Sequence, residues 1–156
     1  MNTSTDSRER QLRRLRIYNL VMGAFHAAQG IAILALANDF SLPVTASFME
    51  GPPGSAPPEL RDLFDVRIAW GVALFVFISA AAHWIIAAPG VYEWYARNLG
   101  RTRNYARWIE YSVSSSVMVV LIAMFTGISD VAALVAIFGV NAAMILFGLL
   151  MEHYEE

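Results

Sequence analysis

Neither cysteine nor lysine occurs anywhere in the 156 residues. The first absence excludes disulfides, thiolate metal sites and a cysteine nucleophile, and it leaves no trace of the redox compartment. The second means that all eleven basic residues are arginine. Charge of either sign is scarce. Only 15% of the residues are charged, whereas a soluble domain of this size carries about a quarter. The formal net charge of −2 gives no electrostatic case for nucleic acid as a partner. What is abundant is apolar surface: 57% hydrophobic residues and a mean hydropathy of +0.48. This is the composition of a membrane protein.

Four apolar runs are bounded by charge: Ile17–Asn38, Ile68–Tyr92, Tyr111–Ser129 and Val131–Met151. Each is long enough for a helix to cross roughly 30 Å of hydrocarbon. They are apolar nearly all round rather than on one face. Residues 1–156 therefore read as a single all-α membrane domain, with helices at about 17–38, 67–88, 104–127 and 130–151. The first run also admits a signal-peptide reading, with "ALA" at Ala35–Ala37 as the cleavage site. Its apolar core exceeds the roughly 7–15 residues of a signal.

Arginine sets the expected orientation. Arg8, Arg10, Arg13, Arg14 and Arg16 precede the first run, and Arg97, Arg101, Arg103 and Arg107 lie between the second and third. Only Arg61 and Arg67 lie on the other side. The positive-inside rule then puts the N-terminus and the tail 152–156 in the cytoplasm of a multi-pass cell-membrane protein. The connection 39–65 is external and proline-rich. Leu42, Val44, Ala46 and Phe48 alternate before a "GPPG" turn, which suits either a short strand or an extended linker. A turn at Gly127–Asp130 makes the last two helices antiparallel neighbours.

Ionisable groups inside the runs are few: His26, His83 and Glu110. At about 1.5 Å per residue they lie roughly 13, 9 and 9 Å from the arginine-rich side, within about 5 Å of one level. Gln29 follows His26 at i+3, and Ser114 follows Glu110 at i+4, so each shares a face with its neighbour. These groups point to a hydrated polar pocket; the plainer alternative is hydrogen-bonding glue between helices. Ser112 and Ser116 fit close helix packing, leaving Ser114 and Ser115 for the pocket. Met118, Met144 and Phe147 suit either an apolar slot or ordinary core, and Asn141 is a mid-helix polar group that needs a partner. The aromatic residues near the helix ends, Trp84, Trp94 and Trp108 among them, fit an interfacial belt.

The segments "LALANDFSLPVTASFMEGPPG", "RWIEYSVSSSVMVVLIA" and "AIFGVNAAMILFGLLMEHY" resemble the heliorhodopsins, retinal-binding membrane photoreceptors, and the likeness spans about Tyr18 to Tyr154. The resemblance implies a seven-helix rhodopsin-like fold with a cytoplasmic N-terminus and a β-hairpin after the first helix that helps form a homodimer. It makes Glu110 the counterion of the protonated retinal Schiff base and places His26 and His83 in a polar cavity beside it. It assigns Ser114, Ser115, Met118, Asn141, Met144 and Ile145 to the retinal pocket. The sequence departs from the family in having no lysine to hold retinal, and helices five to seven are absent. The expectation is an N-terminal fragment of a light sensor rather than a pump. The alternatives are a non-pigmented four-helix scaffold and an enzyme with His26, His83 and Glu110 on a metal, although a conventional H-E-x-x-H cluster is missing.

Overall fold

The computed structural model describes residues 3–49, 51–55 and 59–154, with side chains from Ser7 onward. Pro57 and Pro58 of the outer connection, and Glu155 and Glu156 of the tail, lie outside the described residues. Among the described residues there are five helices and one hairpin. The helices are α1 (Thr3–Ala35), α2 (Ile68–Ala87), α3 (Val91–Leu99), α4 (Tyr105–Phe125) and α5 (Val131–Tyr154). All but α3 are long and apolar enough to cross a membrane.

Each boundary has a local cause. The helix α1 does not begin at Ile17; its arginine-rich approach is helical as well, since arginine and leucine are good helix formers. Pro89 and Gly90, the latter at φ 81°, break the chain after α2. The arginine-bearing segment between the second and third expected helices then forms α3. Asn104 caps α4 by accepting from the Arg107 backbone N–H at 3.2 Å. Gly127, at φ 94°, turns the chain after α4, and the Asp130 carboxylate caps α5 by accepting from Ala133 N at 3.0 Å.

Strands β1 (Ser41–Phe48) and β2 (Glu59–Arg67) pair antiparallel, so the connection is a hairpin rather than an extended linker. Val44 pairs with Phe64 and Thr45 with Asp62, which leaves Leu63 as a bulge. The hairpin folds back over the α4–α5 turn. Thr45 donates its backbone N–H to Ser129 O at 2.9 Å, and the two hydroxyls lie 3.0 Å apart. Val44 is buried there against Ala123, Met124 and Leu134.

The helices pack in a row, α1 on α2, α2 on α4 and α4 on α5, with α3 bracing α2 and α4. Apolar side chains are widely exposed along the row, among them Phe25, Ile85, Ile109, Val140 and Phe147. Such surface suits contact with a lipid bilayer.

Candidate functional site

The site starts with one stripe on α1. Asn19, Gly23, His26 and Gly30 recur at spacings of four, three and four, which keeps them on one helix face. A Cβ on Gly23 would fall 2.4 Å from Trp84 Nε1, and one on Gly30 would fall 2.6 Å from Phe77 Cε1. Two α2 rings thus seat on bare α1 backbone, one turn to either side of His26. Between them the His26 and His83 rings stack, with centroids 5.6 Å apart and planes 15° from parallel.

Both rings are oriented. Gln29 Oε1 lies 3.0 Å from His26 Nδ1. Asn19 Nδ2 donates to Leu15 O at 3.0 Å, which turns Asn19 Oδ1 toward His83 Nδ1 at 2.8 Å. His83 Nδ1 must therefore be the donor in that bond. In the neutral ring Nε2 is left as a proton acceptor.

Glu110 faces the same space from α4. The Ser79 hydroxyl donates to its Oε1 at 2.7 Å. Together Asn19, His26, Ser79, His83 and Glu110 line a cavity of about 350 Å³. Its rim carries Tyr95, Asn104 and Arg107. Burial raises the pKa of the Tyr95 phenol, opposed by a hydrogen bond with Asn104 and by the Arg107 charge. A raised value keeps Tyr95 a neutral donor through the physiological range. The three ionisable residues expected at one level do surround one cavity. Among the described residues, however, no three such side chains form a metal-binding set.

The expected pocket residues lie elsewhere. Gln29 is exposed and reaches the cavity only through His26. Ser114 is 2% exposed but does not line the cavity. Nor is Ser115 free to do so: its hydroxyl donates to Tyr111 O at 2.6 Å and accepts from Asn141 Nδ2 at 2.9 Å. Asn141 Nδ2 also reaches the Ser116 hydroxyl at 3.0 Å, so the serine run is the partner that Asn141 needed. Met118 and Met144 are exposed and Ile145 is half-buried, all outside the cavity. Replacing Asn141 with leucine should weaken the α4–α5 contact by about 1 kcal/mol. Unfolding in mixed micelles measures this, and an unchanged midpoint would show that the clamp contributes nothing.

Trp108 is more than a belt residue. Its indole donates to Glu152 Oε2 at 2.6 Å, and the same oxygen accepts from Asn104 N at 2.9 Å. Tyr105 pairs with His153 Nδ1 at 2.8 Å. These contacts fasten the end of α5 to the start of α4, just beyond the cavity. Sequence reasoning missed Asn19 and Ser79 as site residues. Both carried a signal, because Asn19 precedes His26 by seven and Ser79 precedes His83 by four, which are same-face spacings.

A protein-family model described as Heliorhodopsin matches residues 15–156. No curated protein matches the chain.

Proposed function

The chain belongs to the heliorhodopsin family, and we propose that its four long helices are the counterion half of a retinal-based light sensor. One observation carries this reading. The Glu110 carboxyl group is held in a polar cavity by a single hydroxyl, and among the described residues it makes no ion pair. A carboxylate at membrane depth is rare without a cationic partner or a proton to handle. The donor set therefore fits a positively charged group.

Retinal, bound as the protonated imine of a lysine, supplies both the light absorption and that positive charge. This sequence has no lysine, so the amine comes from outside these 156 residues. The chain's own residues do the rest. Ser79 fixes one Glu110 oxygen, and Glu110 balances the charge. His83 offers Nε2 to a released proton, with its ring held by Asn19 and the His26 stack. Met118, Met144 and Ile145 give apolar surface to the polyene, and Asn141 clamps Ser115 behind it. Sensing rather than pumping fits the distribution of charge. Among the described residues, no Asp, Glu, His or Arg lies in the long helices between His26, the deepest of the three ionisable groups, and the hairpin end.

The test is a visible pigment. The chain with all-trans retinal should give no red-shifted band. Co-expression with a helix five-to-seven fragment of a close heliorhodopsin, carrying the lysine, should produce one. Glu110→Gln should then move that band to longer wavelength, because the negative charge stabilises the localised cation of the ground state. A pigment whose band ignores Glu110→Gln would refute the counterion role. A covalent pigment from the chain alone would refute the need for an outside amine.

A further inference from the structure

Glu110 borders a second space. A groove of about 430 Å³ lies between α2, α3 and α4, with no wall from α1. Ile78, Ile85, Trp94, Ile109 and Val113 line it, and Ile85 and Ile109 are more than half exposed. The groove is apolar and opens to the surroundings of the helices, which for apolar helices of this length is lipid. Ala82, Ile86, Ala106 and Glu110 line both the groove and the polar cavity. Two of these four are alanines, so little bulk separates the two spaces. Glu110 is the one ionisable group lining the groove among the described residues. Ser79 occupies Oε1, and Oε2 has no hydrogen-bond partner among the described residues.

We propose that this groove binds a lipophilic amine from the bilayer. The hydrocarbon body lies along Ile78, Ile85, Ile109 and Val113, and the ammonium reaches Glu110 across the Ala82–Ala106 partition. A wall of aliphatic side chains selects for an alkyl chain and little else. A single carboxyl group at its edge selects for a cation with N–H donors, since a charge-assisted hydrogen bond in a dry setting outweighs a neutral one. An anion is repelled there, and a neutral lipid tail gains nothing from Glu110. The Trp94 ring beside the groove adds a face that attracts an ammonium on its way in.

The probes are a long-chain primary alkylamine carrying a diazirine and the alcohol of equal length, photolysed with the whole chain in nanodiscs. Cross-links are mapped by mass spectrometry. The amine should label residues 78–85 and 109–113 about tenfold more than the alcohol does. Glu110→Gln, which still accepts from Ser79, should reduce the amine to the alcohol's level. Val113→Trp fills the groove and should lower labelling by both probes. Equal labelling of the wild type by the two probes would overturn the proposal, as would an amine preference that survives Glu110→Gln. Undiminished labelling of Val113→Trp would overturn the groove as the binding place. No chromophore is needed, so failure here leaves the pigment shift of Glu110→Gln standing, and the reverse holds too.

Discussion

Leucine in place of Gly30 is expected to push α1 off α2 and to unstack His26 from His83. The Phe77 ring already occupies the place where a Cβ would stand, 2.6 Å from the ideal position. A rigid ring against rigid helix backbone has little room to yield, and overpacking of this kind costs about 1–3 kcal/mol. Helices in a bilayer lack a hydrophobic drive toward one another and depend on close contact. The loss therefore falls on the interface that seats the histidines. Gly23→Leu should act the same way through Trp84. Gly139 is the control: a Cβ there meets nothing within 4 Å. Gly139→Ala should leave stability unchanged or raise it by about 0.5–1 kcal/mol through helix propensity. Unfolding in denaturing micelles measures all three, and the ring-current shift of the His83 protons reports the stack. A Gly30→Leu protein as stable as the wild type would mean the rings are not seated as described.

An all-or-none result is expected for orientation. The sequence has no cysteine, so a single introduced thiol reports its own side without any background. Ser55 lies in the turn of the hairpin connection and is exposed. Asn98 lies on α3 at the opposite end, beside Arg97 and Arg101. Nine of the eleven arginines belong to that end, and arginine near helix ends is retained in the cytoplasm. In intact cells a membrane-impermeant maleimide should label Ser55→Cys and leave Asn98→Cys untouched. In inverted vesicles the pattern should exchange. The opposite outcome would reverse the proposed N-in arrangement.

Much of this architecture was legible because lipid imposes a strict length and a strict chemistry. Runs of apolar residues between charges have few other uses, and a fixed rise per residue converts a position into a depth. That is how His26, His83 and Glu110 could be set at one level before any contact was known. Side-chain partners are a different matter. Asn19 lay inside an apolar run and Ser79 among alanines, and neither declares its direction until α1 and α2 are docked. The serine run was divided by spacing into packing and pocket members, but Asn141 reaches both Ser115 and Ser116 across the α4–α5 contact. Only the crossing of two helices decides that. The hairpin was implied by the family resemblance, whereas the alternation of residues by itself marked only β1; in β2 the bulge at Leu63 puts Leu60 and Phe64 on opposite faces despite their even spacing. As for α3, its amphipathic pattern runs for only nine residues, too few to set it apart from a loop.

The helix α1 is a single unbroken rod from Thr3 to Ala35, about 50 Å long, while the hydrocarbon of a bilayer is about 30 Å thick. Its surplus length lies on the arginine side and begins where the cavity ends. The Tyr92 hydroxyl donates to Leu12 O, and Arg16 Nε donates to Ala87 O at 2.9 Å. Those two bonds form a fulcrum between the stacked histidines and the projecting tip. A tilt of about 5° about that fulcrum moves the tip, roughly 17 Å away, by about 1.5 Å. A shift of the His26 ring on one side of the fulcrum thus becomes an opposite movement of similar size at the arginine-rich tip.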